Sequence, residues 1–117
     1  MSKRTEQIGG IIAKIISKIL RDEIRDPRLG GLITITGVDV SKDLRNATVY
    51  WSVIGDEEVW REAEDGFKKA KGYIQRLVAQ RLILKVTPRL EFVPDHTMER
   101  AQRIEMIIEE LTHKDGE

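Results

Sequence analysis

Two strand-like runs separated by only four residues restrict the fold more than any other feature of this chain. Leu32 to Val40 is rich in β-branched residues, and Arg45 to Ile54 sets Ala47, Val49, Trp51 and Val53 against Asn46, Thr48, Tyr50 and Ser52. Successive side chains of a strand point to opposite faces, so the second run has one apolar and one polar face. Ser41-Lys42-Asp43-Leu44 is all that joins the runs, and a connection that short allows only antiparallel pairing. In the first run the alternation slips at Gly37, from Ile33 and Ile35 to Val38 and Val40, which predicts a bulge.

The apolar face of this hairpin needs cover, and helical stripes supply it. Ile8, Ile11, Ile12, Ile15, Ile16, Ile19, Leu20 and Ile24 recur at spacings of three and four, the pattern of a helix from about Ser2 to Arg25. Gly9-Gly10 interrupts that stripe at a cost of about 1 kcal/mol per glycine relative to alanine. Either the helix begins after the pair or another backbone approaches closely there. Asp26-Pro27 ends the helix, because proline disfavours helical geometry in the residue before it, and Gly30-Gly31 completes the break. A second helix opens at Gly55-Asp56, where Asp56, Glu57 and Glu58 complement the positive end of the helix dipole. Its buried face is marked by Val59, Trp60, Ala63, Phe67 and Ala70. The pattern resumes after Gly72 with Tyr73, Ile74, Leu77, Val78, Leu82 and Ile83, a further helical segment closed before Pro88.

Leu90 to Val93 reads as a short third strand. Thr97 to Leu111, with Ile104, Ile107, Ile108 and Leu111 at helical spacing, reads as a final acidic helix. The order helix, strand, strand, helix, helix, strand, helix predicts an α+β sandwich. Helices cover one face of a small antiparallel-rich sheet and leave the other face to solvent or a partner. At 117 residues and 40% apolar content, the chain holds one core. That domain is expected over residues 1–111, with residues 112–117 as a loose tail.

The total charge is zero, with 20 basic and 20 acidic residues, but its distribution is uneven. The twenty-four residues from Gly66 to Arg89 contain no Asp or Glu while carrying Lys68, Lys69, Lys71, Arg76, Arg81, Lys85 and Arg89. Clustered Lys and Arg attract phosphates whatever the net charge, whereas a face that serves only solubility mixes signs. The expected heart of an RNA-binding site is therefore Lys68, Lys69 and Lys71 around Gly72, with Arg76. Lys85 and Arg89 extend it, and Arg81, five positions from Arg76, need not share its face. Trp51 and Trp60 lie on apolar faces and read as core, leaving Tyr50 and then Tyr73 as the aromatics placed to stack on bases.

Catalytic chemistry is not visible. There is no cysteine, which excludes disulfides, thiolate metal sites and cysteine nucleophiles and suits a reducing cytoplasm. The polar N-terminus and the interruption of the first stripe by Lys14, Lys18 and Arg21 argue against a signal peptide or membrane span. His96 and His113 are far apart in sequence, and Asp95 reads as a turn or cap residue before the last helix rather than a base. Asp22, Glu23 and Asp26, beside Arg21, Arg25 and Arg28, read as solvated ion pairs. Gly30-Gly31 lacks the lysine of a phosphate loop. The expectation is a protein with no catalytic residue, metal, cofactor or small-molecule substrate.

Three segments in order carry a resemblance: Asp26-Pro27-Arg28-Leu29, Ser41-Lys42-Asp43-Leu44-Arg45-Asn46-Ala47-Thr48-Val49-Tyr50, and Pro88-Arg89-Leu90-Glu91-Phe92-Val93-Pro94-Asp95. Together they make the chain, from about Arg4 to Leu111, resemble the ribosome-binding factor A family of bacteria. Ala70-Lys71-Gly72 matches the Ala-x-Gly kink that this family places between its central helices. The resemblance implies a KH-like type II fold, α-β-β-α-α-β, the order reached independently from periodicity. KH domains clamp single-stranded RNA with a Gly-x-x-Gly loop, which this chain lacks. The resemblance thus implies nearly continuous helices kinked at Ala70, Lys71 and Gly72, with binding carried by the basic helix surface. It further implies association with the free small ribosomal subunit and 16S ribosomal RNA, help in late subunit assembly and 5′-end processing, and support of growth in the cold. A cytoplasmic monomer is expected. Two alternatives stay open: a protein-interaction module docking basic proteins through Asp56 to Asp65 and Glu99 to Glu110, and a generic RNA-binding domain.

Overall fold

A computed structural model describes residues 2–30 and 32–115. Its elements are α1 (Lys3–Asp22), β1 (Ile33–Val40), β2 (Asn46–Val53), α2 (Glu57–Arg81), β3 (Arg89–Pro94) and α3 (Thr97–Asp115). Ser2 caps α1, its hydroxyl accepting the Thr5 N–H at 3.2 Å, which satisfies one of the orphan donors of the first turn. Ile8, Ile12, Ile16 and Ile19 then point into the core, each contributing about 2 kcal/mol relative to exposure. Of the two alternatives at Gly9-Gly10, close approach is the one realised. Both glycines are helical, and a Cβ on Gly9 would lie 2.6 Å from the carbonyl oxygen of Val38 in β1.

Beyond α1, a single 3-10 turn over Pro27–Leu29 is capped by Asp26, whose carboxylate accepts the Arg28 N–H and forks onto the Arg28 guanidinium at 2.9 and 2.6 Å. The turn lays Leu29 on Gly66 of α2, where a Cβ would sit 2.9 Å from the Leu29 Cγ.

β1 and β2 pair antiparallel, with the register slipping between Ile35 and Gly37. That bulge keeps Ile33 and Ile35 on the same inward side as Val38 and Val40. The turn between them is held by Ser41 and Asp43: the Asp43 carboxylate accepts from the Ser41 hydroxyl at 2.6 Å and the Arg45 N–H at 3.1 Å. Leu44 adopts φ +63° there, an uncommon conformation for a branched side chain, and its side chain packs on the edge of the core. β3 pairs parallel to β2 on its free side. The sheet is therefore mixed rather than antiparallel-rich, because the intervening α2 is a crossover that returns the chain in the same direction.

The two central helical segments expected on either side of Gly72 form one helix, uninterrupted from Glu57 to Arg81. A single internal glycine costs about 1 kcal/mol. Trp60, Ala63 and Phe67 before it and Ile74 and Val78 after it are buried in one core, and their burial outweighs that cost. α1 and α2 cover one face of the sheet, as the KH-like order requires, while Thr34, Thr36, Thr48, Tyr50 and Ser52 line the uncovered face. α3 continues past the expected end at Leu111 to Asp115, and residues 116–117 of the expected tail lie outside the described residues.

Candidate nucleic-acid interface

Residues three and four apart on a helix share a face, and this divides the basic block. Lys68, Lys71, Gly72 and Gln75 form one flank of α2, and with Thr87 and Arg89 they line a shallow cleft of about 500 Å³. Four of the expected site residues, Lys68, Lys71, Gly72 and Arg89, are thus brought together. Gly72 is exposed, and a Cβ added to it would meet nothing within 4 Å. The helix backbone is bare where the cleft opens.

Gln75 was not among the expected residues, yet it shapes the cleft. Its amide nitrogen donates to the Pro88 carbonyl and its amide oxygen accepts the Leu90 N–H, both at 2.9 Å. This clamps the start of β3 to α2. The Arg89 N–H donates to the Arg45 carbonyl at 2.8 Å, so Arg89 stands between α2 and the start of β2, with exposed Arg45 beside it. Nothing in the sequence singled out Gln75, since Gln80 and Thr87 share its polar, uncharged character within the block. For Arg45 and Thr87 there was no signal.

The other expected residues lie elsewhere. Lys69 is near Asp26, where its charge, after the hydrogen bonds from Arg28, helps hold the Asp26 carboxyl at about 2. Arg76 extends over the Tyr73 ring, 5.7 Å from its centroid, a cation–π contact on the exposed surface. Lys85 is exposed in the connection from α2 to β3. Arg81 sits on the α1 side, where its guanidinium forks onto the Glu23 carboxylate; that hydrogen bonding lowers the Glu23 pKa and raises that of Arg81. Lys71 pairs with Glu91 of β3 at 2.9 Å and lowers its pKa. Such exposed pairs contribute little to stability, but they neutralise charge. Among the described residues, Lys68, Lys69, Arg76, Lys85 and Arg89 have no carboxylate within 4.0 Å. The acids that temper the block come from the C-terminal cap of α1, Glu23, and from Glu91 of β3, outside its acid-free span.

Trp51 and Trp60 are core residues, as their faces implied, with ring centroids 5.4 Å apart. Tyr50 is half-buried on the uncovered sheet face, and Tyr73 is exposed. Asp95 caps α3 as expected, accepting the Thr97 N–H at 3.0 Å. The Thr36 hydroxyl of β1 also donates to it, at 2.7 Å. No group of three or more His, Asp or Glu side chains among the described residues is placed to hold a metal ion. No described helix is long and apolar enough to cross a membrane.

A family model described as Ribosome-binding factor A matches residues 4–108. The ribosome-binding factor A of Caldanaerobacter subterraneus subsp. tengcongensis is 38% identical over 117 residues, covering 100% of this chain and 96% of the relative. The fold matches a Thermotoga maritima solution structure described as a ribosome-binding factor A, with TM-score 0.70 and 33% identity over 80% of this chain and 88% of that one. It also matches the Thermus thermophilus ribosome-binding factor A as fitted into the cryo-EM map of a complex with the 30S subunit. There the TM-score is 0.58 and the identity 26%, over 83% of this chain and 97% of that one.

Proposed function

This chain belongs to the ribosome-binding factor A family, and from that premise we propose that it binds the free small ribosomal subunit by seating 16S ribosomal RNA in the cleft along α2. The observation that carries the reading is the convergence of Lys68, Lys71 and Arg89 around the bare backbone at Gly72. The Thermus relative fitted into a map of its 30S complex supports the choice of particle.

Phosphates are held by charge-assisted hydrogen bonds from Lys and by the planar fork of Arg. With no side chain at Gly72, the RNA backbone approaches α2 closely, while Lys68 and Arg89 flank it and Arg76, Lys69 and Lys85 widen the attractive field. These contacts position the protein on a shaped RNA without reading bases, as suits a chain with no Gly-x-x-Gly clamp. The protein acts by binding rather than catalysis. It works as a cytoplasmic monomer that holds one arrangement of late 16S RNA, assisting 5′-end processing. That help matters most in the cold, where misarranged RNA helices escape slowly.

The test is co-sedimentation with purified small subunits, large subunits and intact ribosomes at two salt concentrations. Binding confined to small subunits, weakened by salt and lost on reversing Lys68 and Arg89 to Glu, is the expected result. Equal binding to all three particles reduces the cleft to a nonspecific basic patch, and binding to none overturns the reading.

A further inference from the structure

The other half of α2 faces a second concavity of opposite character. Between the N-terminal turns of α2 and the length of α3 lies an open groove of about 1000 Å³. Trp60, Pro94, Met106 and Ile107 give it an apolar floor. Asp56, Glu57, Glu64, Glu99 and Glu110 line it against only two arginines, Arg61 and Arg103. The base of the groove is built rather than incidental. Asp95 caps α3 and is tied to Thr36 of β1, and the His96 ring stacks on Trp60 with centroids 4.1 Å apart. Trp60 is 8% exposed, yet its indole N–H has no acceptor among the described residues. Buried donors are normally paired.

α3 itself is amphipathic, and its apolar stripe is left uncovered by the described residues. Ile104, Ile107, Ile108 and Leu111 form one stripe on it and are each at least half exposed. An apolar stripe of this length marks an interaction surface. The charge beside it selects the occupant. Nucleic acid is repelled by the acidic lining. A second copy would bring the same surplus of Glu99, Glu105, Glu109 and Glu110 over Arg100 and Arg103 against itself.

We propose that the α2–α3 groove docks a Lys- and Arg-rich amphipathic segment of a protein. Its apolar side chains would cover Met106, Ile107 and the α3 stripe, and its cations would meet the acidic lining. That this protein belongs to the small subunit rests on the function proposed above; the chemistry of the groove does not.

A photo-crosslinking amino acid at Met106 of the full chain, irradiated in sedimented small-subunit complexes, tests this. The expected adduct is destroyed by protease, resists ribonuclease and maps to a Lys- and Arg-rich segment. Its yield should fall about ten-fold in the Glu64→Lys, Glu110→Lys double variant; both positions are exposed, and circular dichroism verifies that the variant folds. An adduct with RNA or with a second copy overturns the proposal, as does a yield no higher than from a crosslinker at exposed Gln7 of α1. Failure to sediment counts against the ribosomal reading alone. In that case the same labelled chain, irradiated with RNA-free proteins extracted from small subunits, decides the groove by the same criteria.

Discussion

Replacing Gly72 by alanine separates the helix from the site. Alanine is favoured over glycine in a helix interior by about 1 kcal/mol, partly because it restricts the unfolded chain. At Gly72 the new Cβ meets nothing within 4 Å, so the whole gain is realised. In a domain of this size the melting temperature should rise by about 4 °C. Gly66, six residues earlier in the same helix, provides the contrast. There a Cβ would lie 2.9 and 3.0 Å from Leu29 Cγ and Cδ2 and 3.2 Å from Arg28 Cβ, so the Pro27–Leu29 turn must retreat. Overpacking of this kind costs about 1–3 kcal/mol, which cancels or exceeds the propensity gain, and Gly66→Ala should lose up to about 2 kcal/mol. Urea unfolding, with unchanged slope and shifted midpoint, measures both. On the functional side, the added methyl group stands where the RNA backbone is proposed to approach, and losing one close charge-assisted contact costs about 1.5 kcal/mol. Gly72→Ala should therefore weaken small-subunit binding roughly ten-fold while stabilising the protein. A destabilised Gly72→Ala would show that α2 is not a regular open helix there. A stabilised variant that binds normally would refute the role of the bare backbone.

Three further outcomes follow from the geometry. Glu91→Gln releases Lys71 from its 2.9 Å partner; small-subunit binding should tighten and the logarithmic salt dependence steepen by about 0.7–0.9 for one more phosphate contact. Glu23→Gln, which frees Arg81 on the α1 side, should leave that slope unchanged. Gly9→Ala should destabilise by about 1 kcal/mol or more, because its Cβ meets the Val38 carbonyl oxygen at 2.6 Å, whereas Gly10→Ala, open on that side, should stabilise by about 1 kcal/mol; thermal melts compare the pair. Asp26 and Asp95 are both held at about 2, chiefly by hydrogen bonds from the Arg28 side chain and the Thr97 hydroxyl respectively. A carboxyl that binds its proton more weakly when folded stabilises the fold above the unfolded value of about 4, and this stabilisation disappears as the pH falls towards 2. Acid titration of stability should show that loss, and Asp95→Asn, which still caps, should make it shallower; an unchanged acid limb would rule out Asp95 as a source.

What could be read directly from the sequence was local or periodic. The acidic start of α2 at Asp56, Glu57 and Glu58, the bulge at Gly37, a break between α1 and β1 and the inward faces of α1, β2 and α2 each depend on neighbours within a few residues or on a repeat that burial imposes. The basic block was legible for the same reason, since like charges on one helix need no fold to lie near one another. Its division was not. Glu91 stands twenty residues from Lys71, and Glu23 fifty-eight from Arg81. Only packing α2 between α1 and β3 brings those carboxylates within hydrogen-bonding distance, and Coulomb attraction depends on separation in space rather than along the chain. The same holds for the parallel placement of β3, the Gln75 clamp on Pro88 and Leu90, and the contact of Val38 that makes Gly9 obligatory while Gly10 is not. Which elements form was thus set by the amino-acid sequence through short-range preferences. Which of the seven basic side chains remain free to meet phosphate, and which helix face is left uncovered for a partner, was decided by the tertiary structure, because both depend on groups that meet only when the core closes.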